Sequence, residues 1–562
     1  MPVVKILTRL AEAFGRREPG VARLIPPTAV VQRGRIFIGG PAPKAAHNAL
    51  GSPDLEPWRQ ALVALDEAAK EWTGWRRLVD PLNGDLHGPA LRTIFSVCLL
   101  AEPRHRERIA RLLLDQHVRA IGLLVTRLDR DWGGPARLRR LATLNGDAHR
   151  GQNRNVRVLF NDGGCWVYKP RPVDAEAALF GRDSLAERIN EVLAREGGHA
   201  RLPGLHVQRG SGVDGHEYGY IRWIAHAPLG ACRQKGVVVR GVRIDATTAK
   251  GVWRDAGVLA AFAYAIGLTD LHASNLIIGR GEDGHVRYHV IDAEVFGRPV
   301  RELDQTLLTG ADIRLGLPDH RHCGFESTVH LCGRETDRWA FVRKRRGWIL
   351  APIPSSRAVP VMEPALALDA KGRAGYARHL GVFLKGLLVG WDVMVRHRTL
   401  IEPAVRAALR RVPVRELVRD TAVYERAILA GLTTNAPGPT FRRDEQRQLA
   451  VFDVPYFFWR DGRLKYYTQY PSRTATVRKH GRNAPDLAIF SKQRIREEQV
   501  VLLIQDAVYH VTAPGRRLHV KQDEVEIVQA PPHLQVSANV HGRHWRVSLN
   551  QRTGRASVAV DR

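Results

Sequence analysis

Apolar residues recur at helical spacing in two early parts of the chain. Residues 56–77 and 104–132 place apolar side chains three and four positions apart, as in "RIARLLLDQHVRAIGLLVTRL". This spacing brings the apolar side chains onto one face of an α-helix. The pattern therefore predicts that residues 1–135 form a mostly helical region.

The pattern then changes to strand-like runs. "NVRVLF" and "CWVYKP" flank the turn "NDGG", which predicts a hairpin over residues 155–170. A helical pattern follows from Val173 to Ala194, and two further runs, "GLHVQRG" and "EYGYIRWI", read as strands. This part of the chain is thus predicted to mix a small sheet with one helix.

The second half of the chain alternates between helices and strands. A helix over 252–267 leads into "LTDLHASNLIIG", and a strand–loop–strand unit is predicted from Leu276 to Asp292. Helical spacing returns over 363–434. The apolar run 380–395 contains Lys385 and Asp392, which favours a buried helix over a membrane span. Alternating runs over 501–562 predict a small β extension.

Charge separates this chain from an average globular protein. Its 562 residues include 86 Lys and Arg against 57 Asp and Glu, a formal net charge of +29. Such an excess favours anionic partners such as a nucleotide or an acidic peptide. The basic residues are scattered and no nucleic-acid-binding motif occurs, so we predict neither a nucleic-acid partner nor a membrane partner.

The cysteines indicate a reducing compartment. Five are spread along the chain without a disulfide spacing, and the N-terminus lacks a secretory pattern, so we expect a cytoplasmic protein. Segment 320–333, "HRHCGFESTVHLCG", is the one candidate zinc site. Its spacing fits no common zinc motif, and loop residues without a ligand role are the alternative for His320, His322, Cys323, His330 and Cys332.

Four polar residues follow the order of a protein-kinase site. Lys169 ends a predicted strand, and Asp270, Asn275 and Asp292 follow it. In kinases a strand lysine contacts the ATP phosphates, an Asp accepts the proton of the attacking hydroxyl, and an Asn and an Asp hold Mg²⁺. The spacing predicts the same roles here, and Glu187 or Glu191 on the helix 173–194 as the ion-pair partner of Lys169.

The glycine-rich loop of kinases is missing before Lys169. Its place holds "NGDAHRGQNRNVRV", with Asp147 and His149 where a loop would cover the phosphates. Simple phosphoryl transfer does not need these residues, whereas a second acid–base step would use them. The alternative is that His149 is an ordinary loop histidine.

Several motifs in order resemble the dehydratase domain of class II lanthipeptide synthetases (LanM). They are "GDAHRG", "VYKPR", "TDLHASN", "IDAEVF", "VRELVRDTAVY" and "FDVPYFF", and the similarity runs from Leu141 to Gln505. The resemblance implies an α+β fold of the distorted protein-kinase-like bilobal kind. It also implies an enzyme that phosphorylates Ser and Thr of a ribosomal precursor peptide and then eliminates the phosphate, giving dehydroalanine and dehydrobutyrine.

The resemblance assigns residues to the two steps. The phosphorylation set is Lys169, Asp270, His272, Asn275 and Asp292, with ATP and Mg²⁺ as cofactors and ADP retained afterwards. The elimination set is Asp147, His149, Arg415 and Thr421. Because a guanidinium fork suits phosphate, Arg415 fits the departing group, and Thr421 can add a hydrogen bond. His149 is either the base or the acid.

The sequence departs from the family pattern at three points. Arg222 replaces an acidic residue beside the nucleotide, Phe452 replaces a glycine, and the stretch after residue 500 is too short for a cyclase. We therefore expect dehydration without ring closure, as in proteusin-type pathways, with a leader-bearing precursor and possible further modification enzymes as partners.

These inferences define a domain division and two competing functions. The alternatives are a kinase-like transferase that stops at the phosphopeptide and a non-catalytic peptide-binding pseudokinase. The predicted division is an N-terminal helical region 1–135, a small lobe 136–230, a large lobe with the elimination segment 231–500, and a β extension 501–562.

Overall fold

The computed structural model describes most of the chain. The described residues are 29–32, 35–38, 55–144, 148–212, 217–234, 237–298, 300–309, 323–325, 337–344, 347–353, 361–368, 377–410, 412–421, 423–424, 427–428, 441–470, 473–478, 484–485, 495–509 and 516–561.

The fold is a mixture of α-helices and several small β-sheets. The helices are α1 Glu56–Glu71, α2 Gly84–Leu100, α3 Pro103–Trp132, α4 Asp174–Phe180, α5 Leu185–Arg195, α6 Ala246–Ile266, α7 Leu380–Arg396, α8 Arg398–Leu409, α9 Arg443–Leu449 and α10 Val500–Tyr509. The strands are β1 Ala29–Gln32, β2 Arg35–Ile38, β3 Leu138–Thr143, β4 Val156–Phe160, β5 Cys165–Lys169, β6 Val207–Arg209, β7 Gly219–Arg222, β8 Leu229–Gln234, β9 Val237–Arg243, β10 Leu276–Arg280, β11 Val286–Val290, β12 Asp337–Lys344, β13 Gly347–Ile353, β14 Val361–Leu368, β15 Val414–Glu416, β16 Phe457–Arg460, β17 Arg463–Gln469, β18 Arg473–Thr476, β19 Leu518–Gln522, β20 Val525–Ala530, β21 His533–Val540, β22 Arg543–Asn550 and β23 Ala556–Asp561.

A five-stranded antiparallel sheet follows the first three helices. Its order is β3-β4-β5-β7-β6. The predicted hairpin is confirmed as β4 and β5, with Val156 opposite Tyr168 and Leu159 opposite Cys165. β5 continues into a pairing with β7 that places Lys169 opposite Gly219, at the end of the third strand. The sheet thus fixes where the Lys169 side chain leaves the backbone.

The single helix predicted from Val173 to Ala194 is wrong, because two helices cover this range. α4 ends at Gly181, where an added Cβ would lie 2.6 Å from the Ala177 carbonyl oxygen. α5 starts anew after Ser184, whose hydroxyl accepts the Glu187 backbone N–H. The extended conformation of Gly181 (φ −76°, ψ −167°) and a new N-cap at Ser184 therefore separate the two helices.

Two helices in close contact form the centre of the largest hydrophobic core. The predicted buried helix is confirmed as α7, and it packs along α6. A Cβ on Gly386 would lie 1.9 Å from the Arg254 carbonyl oxygen, and one on Gly257 would lie 2.1 Å from that of Phe383. Only glycine at these two positions lets the backbones approach so closely.

The C-terminal part differs in detail from the predicted pattern. Residues 363–434 are not all helical, because β14 and β15 lie within them, and helix α10 precedes the strands of the end. Strands β19 to β23 form an antiparallel meander whose buried residues, such as Trp545 and Val536, share the core of α7. In the described part of the chain, no helix combines the length and apolar character that a bilayer crossing requires.

Candidate active site

The stretch that follows α6 is held against the end of β11. Thr269 donates a backbone hydrogen bond to Val295 (2.9 Å), and Ile291 donates one to the carbonyl of Asn275 (2.9 Å). These bonds bring the loop of Asp270 beside that of Asp292. Asp270 adopts a positive φ of 64°, an uncommon conformation for a residue other than glycine, which is typical of strained functional loops.

The predicted trio of Asp270, His272 and Asn275 lies together. Asn275 Nδ2 donates to the Asp270 carbonyl oxygen at 2.7 Å and lies 3.3 Å from His272 Nε2. His272 Nε2 is 3.7 Å from the Asp270 carboxylate. These contacts engage the Asn275 amide nitrogen, so its side-chain oxygen is the atom that could bind a metal ion. His272 contacts both Asp270 and Asn275.

Asp270 is in an electrostatic setting suited to a base. Burial, the largest cause, raises the pKa of Asp270 to about 7; Arg415 opposes this shift, while the carboxylates of Asp292 and Glu294 add to it. A carboxylate with a pKa near neutrality can accept a hydroxyl proton at physiological pH.

The predicted partner of Lys169 is wrong. Lys169 Nζ donates to Glu176 on α4 at 3.0 Å, whereas Glu187 accepts from its own helix start and Glu191 pairs with Arg195. Glu176 is fully buried, and α4 is the helix that directly follows the lysine strand. The break between α4 and α5 turns the two predicted candidates away.

Arg171 connects Lys169 to the end of β11. Its Nη2 contacts Glu176 at 2.6 Å and Asp292 at 2.5 Å, and its Nε lies 3.2 Å from Glu294. Asp292 Oδ2 is in turn 3.8 Å from Lys169 Nζ. Sequence reasoning missed Arg171, Glu176 and Glu294, although "YKPR" and "DAE" place Arg171 and Glu294 two residues beyond a predicted site residue.

Glu294 links these residues to the predicted elimination segment. Its carboxylate pairs with Arg415 Nη1 and accepts the Tyr456 hydroxyl at 2.8 Å. The Arg415 backbone N–H also donates to the Glu294 carbonyl at 2.8 Å. Arg171 and Arg415 hold the pKa of Glu294 well below its usual value despite burial. One chain of contacts therefore runs from Lys169 to Arg415.

His149 lies near the Arg415 end of this series of contacts. Its Nδ1 donates to the Val454 carbonyl at 2.9 Å, and its ring is 5.6 Å from that of Tyr456. Since a carbonyl only accepts, the neutral ring carries its lone pair on Nε2. The Asp453 carboxylate fixes the loop by accepting the N–H groups of Gly151 (2.6 Å) and Gln152 (3.0 Å). Asp147 lies outside the described residues.

The structure describes Thr421 and one candidate ligand of the zinc segment. Thr421 is half-buried and helical, six residues beyond Arg415. Of the candidate zinc segment, Cys323 is described: it is buried and forms a β-bridge with His272, while His320, His322, His330 and Cys332 lie outside the described residues.

The two substituted positions, Phe452 and Arg222, have different local settings. Phe452 has a φ of 60°, a conformation that glycine adopts freely and phenylalanine only under strain. Arg222 pairs with Glu282 at 3.0 Å on the exposed surface, so its charge is balanced there.

The donor set fits Mg²⁺ and a nucleotide phosphate. Mg²⁺ prefers oxygen ligands, and the Asn275 side-chain oxygen and the Asp292 carboxylate would supply them. Lys169, whose Nζ lies 3.8 Å from Asp292, would contact anionic phosphates. The donors of Arg171 are instead taken up by Glu176, Asp292 and Glu294.

Comparisons with known proteins give a partial assignment. A family model described as a domain of unknown function, DUF4135, matches residues 106–305, and this family is associated with lanthipeptide-synthetase-like proteins. The matched range includes Lys169, Asp270, Asn275 and Asp292 and ends before Arg415. No curated protein matches the chain.

Proposed function

We propose that this protein is a peptide Ser/Thr dehydratase with a distorted protein-kinase-like bilobal fold. The observation that carries the proposal is the contact chain from Lys169 through Glu176, Arg171 and Glu294 to Arg415. This chain supports the proposal because it connects Lys169, assigned to phosphate transfer, with Arg415, assigned to phosphate removal. A strand lysine paired with a glutamate on the next helix is the arrangement that active kinases use.

In the first step, Asp270 accepts the proton of a substrate Ser or Thr hydroxyl while the oxygen attacks the γ-phosphorus of ATP. The bond from the γ-phosphorus to the β,γ-bridging oxygen breaks, and ADP leaves. Lys169 would contact the nucleotide phosphates, and Asn275 and Asp292 would hold Mg²⁺, which would neutralise developing phosphate charge. Arg171 pairs with Asp292 and holds this carboxylate in place. Glu176 positions Lys169 and Arg171.

In the second step, His149 Nε2 removes the Cα proton. The Cα–H electron pair forms the Cα=Cβ bond, the Cβ–O bond breaks, and its electrons leave with the phosphate. Arg415 stabilises that leaving group, and Thr421 adds a hydrogen bond. The implied partner is a ribosomal precursor peptide with a leader, and the basic excess suits an acidic leader. Because such a peptide and ATP meet in the cytoplasm, the proposal implies a cytoplasmic enzyme.

The direct test uses a precursor peptide encoded next to this gene, ATP and Mg²⁺, with product masses recorded. Loss of water supports the dehydratase, stable phosphate gain indicates a transferase alone, and an unchanged mass indicates a peptide-binding pseudokinase.

Variants separate the two steps. Arg415→Ala should accumulate phosphopeptide, whereas Asp270→Ala should abolish phosphate transfer. Arg419→Ala is the matched control, because Arg419 lies four residues further on and pairs with Glu445 at 2.8 Å. Unchanged water loss by Arg415→Ala would contradict the elimination assignment.

A further inference from the structure

Arg150, the residue after His149, lies in a cluster of tyrosines. Its guanidinium carbon is 4.5 Å from the ring centroid of Tyr456, 5.3 Å from that of Tyr467 and 4.7 Å from that of Tyr470. The residue is only 7% exposed. Burial, the largest influence, lowers the pKa of Arg150, but the tyrosines and Glu294 outweigh it, so the side chain stays charged.

Two nitrogen atoms of this cation lack an acceptor among the described residues. Nε and Nη1 of Arg150 are buried and donate to no acceptor in the described part of the protein. Aromatic faces attract the charge but do not accept the in-plane N–H groups of a guanidinium. Buried donors without acceptors are costly and uncommon in folded proteins, which makes this pair informative.

Three other arginines around the site have acceptors for their N–H groups. Arg127 is 4% exposed, and its Nη1 donates to the hydroxyls of Tyr168 (2.8 Å) and Tyr470 (3.2 Å). Arg171 and Arg415 contact carboxylates. Arg150 therefore differs from these three arginines in having two buried donors without an acceptor among the described residues.

The position of Arg150 relates it to the second step. Tyr456 contacts Arg150, and the same ring lies 5.2 Å from the Arg415 guanidinium carbon and 5.6 Å from the His149 ring. Arg150 also has a positive φ of 53°, in the loop segment that Asp453 fixes. The protein thus holds this side chain in place at the cost of a strained backbone.

We propose that Arg150 forms, with Arg415, a subsite for the phosphate that leaves in the elimination step. This inference rests on the proposed function and extends it by naming a second phosphate-binding cation. Nε and Nη1 lie on opposite edges of the Arg150 guanidinium, so a phosphate would bind Nη2 together with one of them. The charge that develops as the Cβ–O bond breaks is then shared between two arginines.

The test is calorimetric titration of inorganic phosphate into the full chain at constant ionic strength. Arg150→Gln should weaken phosphate binding at least about tenfold. Arg150→Lys keeps the charge without the fork and should fall between this variant and the wild type. Arg127→Lys, in the same tyrosine cluster, should bind phosphate like the wild type, and thermal unfolding checks that each variant folds.

Several outcomes would overturn the subsite. They are no phosphate binding by the wild type, unchanged binding by Arg150→Gln, or an equal loss in Arg127→Lys, which would indicate a packing effect on Tyr470. A second assay follows elimination from a phosphoserine peptide. Phosphate release at the wild-type rate by Arg150→Lys would refute the subsite and leave the dehydratase proposal intact. Arg150-dependent phosphate binding by a wild-type protein that releases no phosphate from this peptide would contradict the dehydratase proposal and leave only a phosphate-binding site.

Discussion

Two charge networks in this protein shift the pKa of a carboxyl group in opposite directions, because they supply it with different numbers of partners. In the candidate site, the Asp270 carboxylate has one described ion-pair partner, His272 at 3.7 Å. In the network between α7 and the C-terminal meander, Asp392 is fully buried and accepts from Arg396 (2.7 Å), His541 (3.1 Å) and Arg543 (2.6 Å).

The pKa directions follow these contacts. Burial raises the pKa of Asp270 to about 7 because too few donors compensate it. Burial also acts on Asp392, but the hydrogen bonds from His541 and Arg396 outweigh it and hold its pKa below the usual value. The C-terminal network therefore stabilises the fold, whereas the site retains a carboxylate that is costly to ionise and suited to chemistry.

The largest expected effect comes from Asp270→Asn. If Asp270 is the base, phosphate transfer should fall about 10²–10⁴-fold. The free energy of unfolding should rise by about 1–2 kcal/mol at pH 8, because a buried charge is removed and asparagine tolerates a positive φ. Mass spectrometry and urea unfolding measure the two effects. A variant that loses both activity and stability would make Asp270 a structural residue.

The same substitution in the other network should have the opposite effect. Asp392→Asn leaves Arg396 and Arg543 without their carboxylate and should lower the free energy of unfolding by about 3 kcal/mol. Dehydration per folded molecule should be unchanged. Urea unfolding at pH 7 measures the loss, and Asp270→Asn is the matched control. Wild-type stability of Asp392→Asn would remove the distinction between the networks.

The pH dependence should also differ in sign. Asp270 has a raised pKa, so it binds more protons when folded, and its contribution to stability is lost as the pH rises from about 4 to 7. Asp392 has a lowered pKa, so its contribution is present above its unfolded pKa and lost as the pH falls through the folded value.

Urea unfolding of the wild type and both Asn variants between pH 3 and 8 tests this directly. The excess stability of Asp270→Asn over the wild type should grow up to about pH 7, by about 1 kcal/mol or more. Phosphate transfer by the wild type should rise over the same range, as Asp270 loses its proton. A flat activity profile would contradict the role of Asp270.

How far the sequence predicts these features depends on how many residues separate the interacting groups in the sequence. The hairpin of β4 and β5 and the unit around Asn275 follow from local periodicity, which the backbone obeys. The partner of Lys169 was missed because the apolar helical pattern continues across Gly181, where the backbone changes from helical to extended. Arg150 and Tyr456 lie about 300 residues apart in sequence, so no local pattern relates them.

The smallest expected effect tests whether burial, and not pairing itself, gives the C-terminal network its strength. Glu497 pairs with the other arm of Arg543 at 2.6 Å, but its side chain is 37% exposed. Water and salt screen such a pair, so Glu497→Gln should lower the free energy of unfolding by less than about 1 kcal/mol, and less still in high salt. Glu497→Gln and Asp392→Asn each remove a carboxylate that pairs with Arg543, so measuring both compares an exposed partner with a buried one. Equal losses from both would mean that the number of ion pairs, and not their desolvation, determines the stability of this network.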